Sequence, residues 1–307
     1  MNHLLENILI PLFITIFPIF VVRKNFFSLK RLAGWTILSL FMSFSMLGIL
    51  RFEISWSIIL VTTILTSLFI LGMNHQYINR NKIVKSLLVI GLFFCSSIFQ
   101  LIPILLLNWD PDHLNATQES LLTIFSNMIF CIILFFLYQE EIKKEFKDFR
   151  NRIYPILDTA FKYWFIGIIV MVFSNLLINL LLPSATASNE ETVQKIIQAA
   201  PLLSIISVGI LAPIIEEFTF RKAFYDIFSK PWLFIMVSGI IFGGLHVVLL
   251  LQGWQDLFYL IPYCSLGVAF GFILVKTDNI FASIAVHMFH NTCLTILSII
   301  SAAMVVL

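Results

Sequence analysis

Apolar stretches recur from one end of the chain to the other, separated by short polar intervals that hold most of its charge. Ten of them fall at roughly 5–22, 33–50, 54–73, 86–107, 119–138, 161–182, 199–217, 232–251, 255–275 and 280–306. Each is long enough to cross roughly 30 Å of hydrocarbon as a helix. The pattern predicts an all-α polytopic membrane protein with about ten transmembrane helices. The first six stretches carry no Asp, Glu, Lys or Arg in their interiors. The seventh ends on Glu216-Glu217-Phe218-Thr219-Phe220-Arg221. Charge inside a bilayer costs a few kcal/mol or more, so this run marks a candidate functional site.

The polar intervals alternate in sign. Arg23, Lys24, Lys30 and Arg31 follow the first stretch, and Arg80, Lys82 and Lys85 follow the third. Lys143, Lys144, Lys147, Arg150 and Arg152 follow the fifth, and Arg221, Lys222 and Lys230 follow the seventh. The intervals 108–120, 184–193 and 251–256 contain no Lys or Arg. By the positive-inside rule both termini lie outside and the Glu216 loop faces the cytoplasm. The first stretch lacks a basic leader and a small-residue cleavage site, so a retained anchor is expected. Residues 139–152 alternate charges with Ile142, Phe146 and Phe149 at helical spacing, which predicts an amphipathic helix at the cytoplasmic interface or a solvated connector. Asn189 in the polar outer loop is expected to cap the next helix.

Composition narrows the class further. Hydrophobic residues make up 60% of the chain and charged residues 12%, which excludes an ordinary soluble domain. The net charge of +2 needs no nucleic-acid partner, because anionic lipid accounts for basic cytoplasmic loops. Cys95, Cys131, Cys264 and Cys293 lie within apolar stretches and read as small buried hydrophobes. The chain divides into residues 1–152, five plain stretches with the basic connector, and residues 153–307, which hold every candidate site residue.

Glu217 and Arg221 stand four apart with the acid first, the favourable order for an ion pair along a helix. Such a pair explains both residues as a salt-bridged helix end or as part of a site. Glu216 points about 100° away and cannot share Arg221 fully, which suits a general base. On the eighth stretch Phe242 and His246 share a face, and Gly243-Gly244 would let another helix approach. On the tenth, His287 and Asn291 share a face, with His290 one step round as a packing residue. Each element alone is compatible with interhelical hydrogen bonding.

The ordered set E-E-x-x-x-R, F-x-x-x-H, H-x-x-x-N, each on its own apolar helix, resembles the CAAX prenyl protease and bacteriocin-processing family, also called CPBP or Abi proteins. The resemblance spans roughly residues 155 to 300, including Ala212-Pro213-Ile214-Ile215 and the stretch from Gly267 to Gly271. It implies a CAAX-protease-like helical core and a glutamate-dependent intramembrane endopeptidase. Glu216 with His246 would activate water, and His287 with Asn291 would stabilise the oxyanion. Glu217, Arg221 and Phe242 would shape the site. Lys222 departs from the pattern, because family members commonly carry glycine there. Glu216, His246 and His287 could supply a zinc site in principle. No HExxH is present, and the resemblance implies a metal-free mechanism, so neither metal nor cofactor is expected.

The expected partners are the lipid bilayer and a membrane-associated protein or peptide substrate, in a bacterial plasma membrane with the site toward the cytoplasm. Two other readings compete: a non-catalytic bacteriocin self-immunity or scaffold protein of the same family, and a proton-coupled transporter. One tension concerns depth. If the eighth helix starts at Pro231, helical rise puts His246 about 22 Å along it, against about 10 Å for His287 along the tenth.

Overall fold

A computed structural model describes residues 80–182, 187–248 and 252–306. The expected spans at 5–22, 33–50 and 54–73 lie outside the described residues. Ten helices are distinguished: α1 (Arg80–Cys95), α2 (Leu101–Leu107), α3 (Ala116–Leu137), α4 (Gln139–Asn151), α5 (Ile153–Leu181), α6 (Ser188–Ala199), α7 (Pro201–Ile227), α8 (Pro231–Val248), α9 (Leu260–Thr277) and α10 (Ile280–Val306). A 3₁₀ turn at Ser96–Gln100 joins α1 to α2, and another at Trp254–Tyr259 leads into α9. No strand occurs among the described residues. Six helices are long and apolar enough to cross a membrane: α3, α5, α7, α8, α9 with its leading turn, and α10. The protein is an all-α, multi-pass integral membrane protein.

Local sequence explains several boundaries. Asn115 and Gln118 form a reciprocal capping box that starts α3, each side chain bonding the other's backbone N–H at 2.9 Å. Asn108 ends α2 in the left-handed region, at φ 52°, a conformation asparagine tolerates. The expected span 86–107 is not one helix. It begins earlier, at Arg80, so the basic interval forms the first turns of α1, and it breaks at Ser96-Ser97 into α1 and α2. The expected cap at Asn189 is also corrected. The helix starts one residue earlier, at Ser188, and the Asn189 amide instead donates to Tyr263 Oη at 3.1 Å.

Helices α8 and α9 pack backbone to backbone. A Cβ added at Gly239 would come within 2.7 Å of the Val268 nitrogen, and one at Gly243 within 2.6 Å of the Cys264 nitrogen. Gly267 from the opposing helix meets the Gly239 carbonyl in the same way, at 2.7 Å. Glycines four apart therefore make the close approach, as small residues do between membrane helices. The expected pair is half right: Gly244 faces open space.

Arg152 separates α4 from α5, yet packing crosses that point. Val89 and Ile90 of α1 and Phe130 and Leu134 of α3 share one buried cluster with Phe218, Phe220 and Phe224 of α7. The α4 helix lies across this end of the bundle. Its Ile142 joins that cluster, and Phe146 and Phe149 meet Phe281 of α10 with ring centroids 5.4 and 6.1 Å apart. Glu141 pairs with Lys85 of α1, whose ammonium also sits 4.1 Å from the centre of the Tyr138 ring.

Two predictions follow from this packing. Gly239→Ala and Gly243→Ala each cost about 1–3 kcal/mol by overpacking, whereas Gly244→Ala is neutral. Thermal unfolding of the purified protein in detergent ranks the three. The second concerns α4. Burial works against the Glu141 carboxylate, but its bond and attraction to Lys85 hold its pKa below the ordinary 4.5. A depressed carboxylate stabilises the fold fully above its unfolded pKa and loses that contribution as pH falls through the folded one. Glu141→Gln therefore lowers Tm at neutral pH, and the gap to wild type closes on acidification below 4.5.

Candidate active site

Helix α7 is the spine of the site, and its backbone is irregular on both sides of Glu216. A π-helical stretch at Ile205–Leu211 precedes the α-helical turn Ala212–Glu216, and a second π stretch covers Glu217–Ala223. The first has a visible cause. Ala212 N–H bonds Ser207 O, five residues back, and Pro213 has no N–H with which to continue that register to Val208. The amide of Asn291 supplies the missing donor, bonding Val208 O at 3.1 Å. Thr292 Oγ1 donates to the adjacent Gly209 O at 3.2 Å. A Cβ on Gly209 would stand 2.8 Å from that hydroxyl, so glycine is what lets α10 come close.

The second π stretch carries the charges. Glu217 and Arg221 are fully enclosed and paired, with Arg221 Nε 3.4 Å from Glu217 Oε2. The guanidinium lies over two rings, 4.4 Å from the centre of Phe242 on α8 and 5.3 Å from that of Phe270 on α9. A desolvated guanidinium gains about 2 kcal/mol or more from such a contact. His287 of α10 completes the group. Its Nδ1 stands 2.9 Å from Glu217 Oε1, and its Nε2 3.6 Å from Glu216 Oε2. The ring stacks on Phe270, with centroids 4.5 Å apart and planes at 22°. Both imidazole nitrogens thus face carboxylates, one at hydrogen-bond distance and one just beyond it.

Glu216 differs from its neighbour. Its side chain is 17% exposed, against 0% for Glu217, and its Oε2 lies 3.6 Å from His287 Nε2, beyond hydrogen-bond distance. It is the carboxylate free to act on something else. His246 lies one turn beyond Phe242. Its Nδ1 is 2.8 Å from the Phe242 carbonyl, and its ring stacks on Tyr263 at 5.2 Å. Since a carbonyl only accepts, Nδ1 carries the proton and the neutral ring keeps its lone pair on Nε2.

Of the residues singled out in the sequence, Glu216, Glu217, Arg221, Phe242 and His287 converge. His246 makes no hydrogen bond or ion pair with Glu216. Asn291 is occupied by the helix carbonyl of Val208. His290 is buried and edges against Trp164, a packing role. Phe242 reaches Arg221 and His287 from one turn before His246. Sequence reasoning missed Phe270 and Thr292. Phe270 lies inside the Gly267–Gly271 stretch, and Thr292 follows Asn291, so both stood beside marked positions. Among the described residues no three His, Cys, Asp or Glu side chains form a metal-ligand set.

Residues 198–293 match the family described as Type II CAAX prenyl endopeptidase Rce1-like. Over 116 residues the chain is 32% identical to a protein of Bacillus subtilis (strain 168) named "Putative membrane peptidase YdiL". That alignment takes in 37% of this chain and 44% of the relative, so the chain spans less than half of the curated protein it matches. No solved structure matches. The resemblance to the CAAX protease and bacteriocin-processing family drawn from the three motifs stands, and the match contains all three.

Removing one member of a buried ion pair strands its partner, at a cost of about 3–5 kcal/mol. Arg221→Met should therefore destabilise the protein by that order, and Glu217→Gln by a comparable amount. The double variant Glu217→Gln/Arg221→Met should be less destabilised than the two losses added. Unfolding in detergent, run as a double-mutant cycle, measures the coupling.

Proposed function

Proceeding from an Rce1-like segment at residues 198–293, we propose that the protein is an intramembrane endopeptidase with Glu216 as its general base. The observation that carries this reading is the asymmetry of the two glutamates. Glu217 is fully buried between Arg221 and His287, while Glu216 stands beside them 17% exposed, with His287 Nε2 no closer than 3.6 Å. In the proposed reaction Glu216 takes a proton from water, and the hydroxide attacks the carbonyl carbon of a peptide bond. The carbonyl π pair moves to oxygen, and His287 Nε2–H, held in place from Nδ1 by Glu217, stabilises the oxyanion. Collapse of the tetrahedral intermediate breaks the C–N bond, and the amine leaves with the proton that Glu216 held. His246 supports this assignment through the lone pair on Nε2, which is an acceptor for the same water. Asn291 holds α10 against α7, and its second amide N–H remains as a donor.

Residues 153–307 would form the catalytic core, with α1 and α3 packed against its α7. By the positive-inside rule the site would face the cytoplasm; the reading takes the membrane to be a bacterial plasma membrane and the substrate a membrane-associated peptide or protein. A proton relay through Glu216, His287 and Glu217 is disfavoured, because it would end on a carboxylate neutralised by Arg221.

The test compares new protein N termini in membranes of cells carrying wild type or Glu216→Gln. Products present with wild type and lost with the variant are expected, by 100-fold or more for removal of a general base. They also identify the substrate. Identical termini alongside an intact phenotype would instead support the immunity or scaffold reading.

A further inference from the structure

The amphipathic helix α4 carries a carboxylate that does not behave as a surface charge. Glu145 faces inward and is 12% exposed; Lys222, its partner on α7, is 11% exposed. Lys222 Nζ donates to Glu145 Oε1 at 2.5 Å. The other oxygen, Oε2, accepts the backbone N–H of Ile280 at 2.7 Å. Ile280 is the first residue of α10, so the carboxylate sits on that helix's N-terminal dipole and satisfies one of its open donors. Asn279 strengthens the joint. Its amide donates to the Glu145 carbonyl at 2.8 Å and to Asp148 Oδ2 at 3.0 Å, and its oxygen caps α10 through the Phe281 N–H at 3.1 Å.

The two elements joined here are the ones that carry the candidate site. Lys222 follows Arg221 directly on the π stretch of α7. His287 lies two turns, about 10 Å, along α10 from Ile280. The 2.9 Å bond between Glu217 and His287 depends on how far α10 is inserted relative to α7. At the other end Asn291 and Thr292 fix α10 to the carbonyls of Val208 and Gly209. Between the two joints α10 meets the charged stretch of α7 through His287 and through the buried hydroxyl of Ser283, both at Glu217. An ammonium and a backbone N–H bound by one carboxylate cannot move apart without losing a charge-assisted hydrogen bond.

We propose that Glu145 is a positioning residue for the site: its carboxylate sets the register of α10 against α7, and with it the Glu217–His287 bond. The proposal rests on the endopeptidase reading only for the use of that bond, not for its existence. Lys222 then has a definite task, gripping α4 from the helix that bears the two glutamates.

The test reads His287 directly. The full chain is labelled with ¹⁵N-histidine and reconstituted in lipid bilayers, and the His287 ring resonances are assigned by their loss in His287→Asn. Glu217→Ala gives the position of the Nδ1 resonance when the bond is broken. In Glu145→Ala the resonance should move at least halfway to that position. Glu145→Gln still accepts the Ile280 N–H but lacks the charge for Lys222, and should move it by a smaller amount. Glu140→Ala, on the exposed face of α4, is the control and should leave it in place. A His287 resonance unmoved in folded Glu145→Ala overturns the proposal. Should that variant fail to fold, a wild-type resonance in Glu145→Gln does so. Comparing membrane N termini for the same variants separates the two readings. A moved resonance with no cleavage defect keeps the clasp and removes its catalytic role, while loss of both supports the clasp and the endopeptidase together.

Discussion

Everything in the C-terminal bundle is arranged around an arginine with no access to water. Arg221 is fully buried in a helix that otherwise reads as a membrane span, and an isolated guanidinium there would not be tolerated. Four elements answer that demand. Glu217 supplies the counter-charge from one turn earlier, Phe242 and Phe270 supply ring faces from two other helices, and His287 binds the second oxygen of Glu217. The requirement to neutralise one cation thus determines which faces of α8, α9 and α10 turn inward. Phe242 and Phe270 meet the same guanidinium from two helices that the glycines at 239, 243 and 267 let approach at backbone distance.

Such an arrangement is costly as a source of stability, because well-packed apolar residues would serve as well or better. What it gains is an electrostatic environment held in place without solvent. His287 is bound from one side, so its other nitrogen is aimed at Glu216. Glu216 itself receives little from the network, and that is the feature a purely structural ion cluster would lack. Preorganised charges of this kind do their chemistry without reorganising at the moment of reaction.

The sequence made the class and much of the site legible. Hydropathy gave an all-helical membrane protein, because a helix is how an apolar segment satisfies its own backbone in lipid. Spacing gave the Glu217–Arg221 pair, since i and i+4 positions meet on any helix. Two things were hidden. The roles of His246 and Asn291 depend on which of several acceptors lies nearest in three dimensions, and each found a main-chain carbonyl. Phe270 was hidden for a different reason: one phenylalanine among 32 carries no signal until the arginine above it is located.

Pro213 shows how a residue that weakens a helix can organise its surroundings. By interrupting the hydrogen-bond register of α7 it leaves Val208 O for Asn291, and a neighbouring glycine lets Thr292 reach Gly209 O. The irregular backbone is tolerated because another helix completes it, as buried non-helical backbone in a membrane must be. The consequence reaches beyond local satisfaction. A regular helix offers no free acceptors along its side, so α10 would have nothing to grip there. With the interruption, α10 is pinned to α7 above the charged cluster, while Glu145 pins it below through Ile280. His287 is carried between these two fixed points. Its placement between Glu216 and Glu217 is therefore held from both ends, by side chains of α10 and α4 that each bind a main-chain group of α7 or α10.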